Sequence, residues 1–212
     1  MGQCVGKGRL DLKKQIDDKD IWEIVDSEDL WLFDKLILSK KLGYICGPAG
    51  VTPPKTGPYI VRPCVNYRMM SAGASVEYLS DQFDNLEKVP HGYFWCELFK
   101  GRHLSFDYKN SKQELAVEGF KHNNFKRFLY WRKVSDEFVL PDFLLNVSKK
   151  YEWLNIEVIG NKIIEVHLRP NDDFRFHDGD IVVPVWQDEY IDKTKTFYES
   201  KATGRKGFYV IK

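Results

Sequence analysis

The chain has 212 residues, enough for one large domain or two small lobes and too few for several full domains. Its 32 Lys and Arg balance 31 Asp and Glu to a formal charge of +1. That balance excludes a net field drawing the chain to nucleic acid or to an anionic membrane, so any basic site is local. With 43% apolar residues and 15% aromatics, enough surface can be buried to offset chain entropy, which excludes intrinsic disorder.

No apolar run approaches the roughly 18 residues of a membrane-spanning helix, and the opening MGQCVGKGRL lacks the apolar core of a secretory signal. The expectation is a soluble, cytoplasmic protein. Residues 1–30 alternate Asp and Lys without a helical period and read as an arm or lead-in. Within them GQCVGKG echoes a phosphate-binding loop, but it is one residue short, has no hydroxyl after Lys7 and follows no strand, so it reads as a terminus. Cys4, Cys46, Cys64 and Cys96 are scattered, which predicts buried thiols rather than a disulfide or metal framework.

From Ser27, SEDLWLFDKLILSKKLG predicts one helix, with Ser27 as a cap and Gly43 as its stop. A Pro- and Gly-punctuated loop leads to a short buried strand starting at Tyr59 in PYIVRP. Residues 66–75 (NYRMMSAGAS) form a connector, followed by a polar stretch to Val89. GYFWCELFKGRHLSFDYKN holds two aromatic strands around a turn at Lys100-Gly101. FKRFLYWRKV predicts another strand and LPDFLLNVSKKY a helix. WLNIEVIGNKIIEVHLRP alternates as a hairpin across Gly160-Asn161, and the remainder is mixed strand and loop.

The hairpin carries the most chemistry. Period-two alternation puts Glu165 and His167 on one face, with Glu157 near them on the facing strand. Two neighbouring carboxylates among Val and Ile repel, and leaving them unpaired is costly; a divalent cation such as Mg2+ resolves the conflict. The alternative is an ordinary solvated hairpin face paired with lysines.

This hairpin resembles the metal-binding hairpin of the ATP-grasp superfamily, and within it the glutathione synthetase type. The acidic residue is Glu157, the turn is I-G-N-K, and the family's E-x-N element reads Glu165-Val166-His167. Other segments resemble that family in the same order. Asp34-Lys35 with the loop to Pro54 is similar to its first helix and loop. Tyr59 to Pro63 resembles the strand whose basic residue meets phosphate, and NYRMMSAGAS the loop that covers it. Glu97 to Arg102 resembles the connection between lobes.

The resemblance implies an α+β, two-lobe ATP-grasp fold with antiparallel sheets and a nucleotide cleft between the lobes. It implies a lead-in over 1–30, a first lobe over 31–95 and a second over 96–212. The cofactors implied are ATP and Mg2+, with Mn2+ an option because His167 replaces an oxygen donor. Lys35 and Arg62 would meet phosphate, and Arg132 or Lys133 would add a cation, with Arg62 and Arg132 as the catalytic candidates. The backbone of Glu97, Leu98 and Phe99 would meet adenine, and His103 stands where relatives carry an acid for the ribose hydroxyls. Glu157, Glu165 and His167 would hold the metal.

The chemistry implied is a carboxylate–amine ligase reaction through an acyl phosphate. The alternatives are a catalytically altered nucleotide-binding or interaction module, and a phosphotransferase. The partners implied are ATP and unnamed carboxylate and amine substrates, with no nucleic acid and no membrane. The family's usual N-terminal α/β domain is expected to be missing. The acceptor site is then compact, absent, or completed by a partner protein or a second copy.

Overall fold

The computed structural model describes residues 16, 18–65, 73–83, 85–121, 127–200 and 204–212. Strands β1 (Cys46–Pro48), β2 (Gly57–Pro63), β3 (Ser75–Leu79) and β4 (Tyr93–Glu97) form an antiparallel sheet in the order β1-β4-β2-β3. The remaining strands are β5 (His103–Lys109), β6 (Lys112–Lys121), β7 (Phe128–Lys133), β8 (Trp153–Ile159), β9 (Lys162–His167), β10 (Ile181–Trp186), β11 (Phe197–Glu199) and β12 (Arg205–Ile211). They form an eight-stranded antiparallel sheet in the order β11-β12-β10-β7-β6-β5-β8-β9. Helices α1 (Asp18–Trp22), α2 (Lys35–Lys41) and α3 (Asp142–Lys150) complete the framework, with short 3-10 segments at Ser27–Phe33 and Asp172–Phe174.

The main core lies on one face of the larger sheet. Leu104, Phe106, Leu154, Ile156 and Val166 of β5, β8 and β9 pack there against Leu32, Leu38 and Leu144. Each such fully buried apolar side chain contributes roughly 1.5–3 kcal/mol. The lead-in takes part in this core, because Ile16 and Ile21 are 4% and 1% exposed within it. A second cluster (Val117, Phe128, Trp131, Val182, Phe208) joins β6, β7, β10 and β12, and a third (Tyr59, Val61, Leu79, Trp95) holds the smaller sheet together.

Several sequence-based expectations change. The helix over 27–43 is interrupted at Asp34, whose backbone is extended (φ −97°, ψ 105°) and bridges Val65. Its side chain caps α2 instead, accepting from Leu36 N at 2.8 Å and Ile37 N at 3.0 Å, while Lys35 N donates to Cys64 O at 2.7 Å. Pairing to the strand exit thus wins over helix continuation, and Ser27 is not the cap. Gly43 does end α2, with φ 75°.

The two aromatic strands around Lys100-Gly101 are not a hairpin: β4 and β5 belong to different sheets, and the segment between them connects the two. The polar stretch to Val89 contains β3, and the unassigned KQELAVEGFK is β6, a central strand. The hairpin is β8–β9, with a bulge at Glu157/Val158 that breaks its strict alternation. Most of the 66–75 connector lies outside the described residues; Ser75 starts β3.

Candidate functional site

The face of β5, β8 and β9 opposite the main core carries a polar layer. Register pairs Ser105 with Glu157 and Asp107 with Asn155, then Glu157 with Glu165 and Asn155 with His167. Cross-strand partners share a face, so His103, Ser105, Asp107, Asn155, Glu157, Glu165 and His167 stand together. The bulge turns Ile164 as well as Glu165 toward the space in front of this layer. Glu157, Glu165 and His167 thus come together, but through the bulge: unbroken alternation from the Ile159–Lys162 pair would set Glu157 opposite Ile164 and Glu165 on the core face opposite Ile156. One ligand atom from each lies within 4.8 Å of the others.

Lysine and histidine side chains meet the two acids. His103 Nε2 is 3.0 Å from Glu157 Oε2. Glu165 Oε1 is 3.3 Å from Lys35 Nζ and 3.3 Å from His167 Nε2. The far nitrogen of His167, Nδ1, lies 3.1 Å from Asp18 Oδ1, which also accepts from Arg169 Nε at 2.9 Å. The carboxylate pair is therefore neither bare nor solvated with lysines alone; ammonium and imidazole groups brace it.

Burial pushes the Glu157 carboxyl up, but the hydrogen bond and charge of His103, with His167 and Lys121 behind, outweigh it and hold the group below the usual carboxylate range. Burial likewise opposes ionisation of Asp18, and His167 and Arg169 overcome it, so its pKa is lowered. For His167, burial disfavours the charged form, yet Asp18 raises its pKa above the ordinary value.

In front of the layer lies a cleft of about 560 Å3, walled by both sheets. Ile60, Arg62 and Val76 of the smaller sheet face Glu157, Glu165 and Lys121 of the larger. Arg62 is 8% exposed, its guanidinium sits 5.1 Å from the Phe94 ring, and its Nε is buried without a hydrogen-bond partner among the described residues. Burial pulls its pKa down and Glu165 opposes this. An orphaned buried cationic donor costs free energy unless an anion meets it. Burial also lowers the pKa of Lys121, against the pull of Glu157. Arg102 is already committed, forking onto Glu118 at 2.8 and 2.9 Å and onto Asp136 at 2.7 Å.

The connection between sheets closes one end of the cleft. Leu98 and Phe99 line it, as does His103, while Glu97 does not: its carboxylate accepts from Ile45 N at 3.0 Å. Gly101 (φ 130°) and Gly160 at the hairpin tip approach so closely that a Cβ on Gly101 would lie 2.7 Å from the Gly160 Cα. Gly160 N donates to Arg102 O at 2.8 Å, which fastens the hairpin turn to this connection. Tyr44 adds an edge contact to Phe99 at 4.7 Å.

Arg132 stands apart from the cluster. It is absent from the cleft lining, its side chain is 49% exposed, and its Nη2 lies 3.6 Å from Glu118. Lys133 pairs at the surface with Asp180 at 3.7 Å. Sequence reasoning missed Asp18, which sits in a segment with no readable period, and Lys121, which a strand assignment for KQELAVEGFK would have placed beside Gly119 on the cleft side.

No protein-family model and no curated protein matches the chain. Among solved structures, a protein of Archaeoglobus fulgidus ascribed to the ATP-grasp superfamily matches over 85% of this chain and 64% of its own, with TM-score 0.51 and 16% identity. A D-alanine–D-alanine ligase from Bacillus anthracis matches over 68% of this chain and 58% of its own, with TM-score 0.40 and 16% identity. The ATP-grasp ligase PsnB, solved with a minimal precursor, matches over 68% and 53%, with TM-score 0.41 and 13% identity. This chain thus spans less than two thirds of each of these structures. Two antiparallel sheets enclosing a cleft, in an arrangement shared with the A. fulgidus protein, identify the fold of this chain as ATP-grasp.

Proposed function

We propose that the chain binds ATP with a divalent cation in the cleft between the two sheets and transfers the γ-phosphoryl group to a carboxylate. ADP leaves, an amine attacks the acyl carbon of the resulting acyl phosphate, and phosphate is released as the carbon–nitrogen bond forms. The observation that carries this reading is Arg62, a buried guanidinium with an orphaned Nε facing a triad of Glu157, Glu165 and His167 across the cleft. Phosphoryl transfer needs charge neutralisation and positioning more than covalent help.

In this reading Arg62 and Lys35 meet phosphate oxygens and Lys121 joins them, while Leu98 and Phe99 flank the base. His103 holds Glu157 in place rather than meeting the ribose, since its Nε2 already contacts that carboxylate. The donor set fits an ion: two carboxylates and one imidazole converge, and Glu157 is held ionised. When bound, Mg2+ or Mn2+ would neutralise phosphate charge as it develops. Arg132, outside the cleft lining, is left to the acceptor side, which a partner protein or a second copy would complete.

The test is release of ADP and phosphate from Mg2+-ATP or Mn2+-ATP with pools of carboxylate and amine acceptors. ATP surviving every acceptor class would falsify the ligase reading. A second reading, a nucleotide-binding module without turnover, is favoured by one observation: Lys35 and His103 already meet the two acids. Thermal stabilisation by metal-ATP with no hydrolysis would select it.

A further inference from the structure

The lead-in reaches the proposed metal centre. Ile16 and Ile21 anchor it in the main core, and between them Asp18, 8% exposed, is carried against His167 at the end of β9. The imidazole is held at both ends: Nδ1 lies 3.1 Å from Asp18 Oδ1, and Nε2 lies 3.3 Å from Glu165 Oε1. Arg169 Nε donates to the same Asp18 oxygen at 2.9 Å and fixes the carboxylate. A carboxylate on one ring nitrogen sets the tautomer, orients the ring and makes the other nitrogen a stronger donor to a metal.

We infer that Asp18 is a positioning residue of the metal centre: it takes the Nδ1 proton of His167 in a hydrogen bond, turns Nε2 toward the ion held with Glu157 and Glu165, and thereby makes the centre favour Mn2+ over Mg2+. The inference rests on the reading that the triad holds a divalent ion. Mg2+ takes oxygen ligands and gains little from an imidazole, whereas Mn2+ keeps the same octahedral oxygen chemistry and accepts nitrogen more readily. Residues 149 apart in sequence thus set one ligand between them.

The experiment uses the full chain with ADP. Mn2+ binding is read from the loss of the free-ion electron paramagnetic signal, and Mg2+ binding from its competition with Mn2+. The unaltered chain is expected to bind Mn2+ at least about tenfold more tightly than Mg2+, and its bound Mn2+ to show nitrogen hyperfine coupling in spin-echo spectra. Asp18→Ala is expected to weaken Mn2+ about 10- to 100-fold while leaving Mg2+ within about twofold. Asp18→Asn, which keeps an oxygen acceptor without the charge, falls between. His167→Asn brings the two ions to similar affinity, and adding Asp18→Ala to it changes their ratio no further.

The inference is overturned if Asp18→Ala and Asp18→Asn shift both ions by one common factor or shift neither. It is also overturned if bound Mn2+ in the unaltered chain shows no nitrogen coupling, a readout that holds even if Asp18→Ala fails to fold. Both of those outcomes leave ion binding itself intact. If neither ion binds with ADP, the underlying reading of the triad falls along with the role of Asp18.

Discussion

The two faces of the β5–β8–β9 layer are oppositely built, one sealed in the core and the other fronting the cleft. On one side Phe106, Leu154 and Ile156 are 0–1% exposed, and on the other Ser105, Asp107, Asn155 and His167 are 3–5% exposed. The apolar face is stabilised by area and tolerates no gap. The polar face relies on pairing: Asn155 Nδ2 donates to Ser105 Oγ and to Asp107 Oδ1, both at 2.7 Å, and Asn171 N donates to Asp107 Oδ2 at 2.9 Å, while His103 Nδ1 is buried without a partner among the described residues. One sheet thus carries an apolar core behind and a polar layer facing the cleft in front. The contrast can be attacked from either side.

The largest effect is expected on the apolar side. Phe106→Ala removes a ring that is 1% exposed and should cost about 3–5 kcal/mol, read from denaturant unfolding. Nucleotide affinity of the fraction still folded should stay near that of the unaltered chain. A loss below about 1 kcal/mol would mean that the site can collapse around the gap and that this face is less tightly packed than its burial indicates.

Next comes the pH response of the polar side. Burial pushes the Asp107 carboxyl up from 3.8 to about 6, against the hydrogen bonds from Asn171 N and Asn155. The folded chain therefore holds a proton between pH 3.8 and about 6 that the unfolded chain gives up, so stability falls as pH rises through this window. The total is on the order of 3 kcal/mol, and Asp107→Asn should flatten it. Asp18 and Glu157, whose pKa values are lowered, act with the opposite sign below their ordinary values of 3.8 and 4.5, where their stabilisation is lost as they protonate. Thermal melts of the two chains across pH 4–7 would show the difference, and parallel curves would remove Asp107 as its source.

The smallest effect on folding is expected from Glu165→Gln, which keeps the shape and loses a charge at the edge of the cleft. Stability should fall by about 1–2 kcal/mol, because Lys35 and His167 keep a neutral acceptor. Metal-dependent stabilisation by nucleotide should drop at least about tenfold in affinity, since the ion loses a carboxylate ligand. Unchanged stabilisation by metal-ATP would detach Glu165 from the ion.

Much of the site was legible because it is local. Glu157 and Glu165 flank a tight turn, which keeps them close, but the bulge at Glu157/Val158 rather than a period of two sets them on one face. Arg62 was legible from its place in a short apolar strand. The fold class followed from the order of such segments. Less legible was β6, where charged residues at Lys112, Glu114, Glu118 and Lys121 hide a strand whose middle alone is buried. The break at Asp34 depends on pairing with Val65, thirty-one positions away, and helical spacing on either side of it carries no sign of that.

By itself the sequence determined the hairpin with an acid on each strand and the basic residue of the facing strand, because turn chemistry and backbone periodicity act over a few residues; the bulge that brings the two acids to one face was not legible in that pattern. Only the tertiary structure decided what those groups meet. It set Asp18 on His167, His103 on Glu157 and Lys35 on Glu165, and left the Arg62 Nε without a partner among the described residues. Those contacts join segments far apart along the chain, and whether a buried charge finds a counter-charge depends on how the sheets and helices pack, which no local pattern encodes.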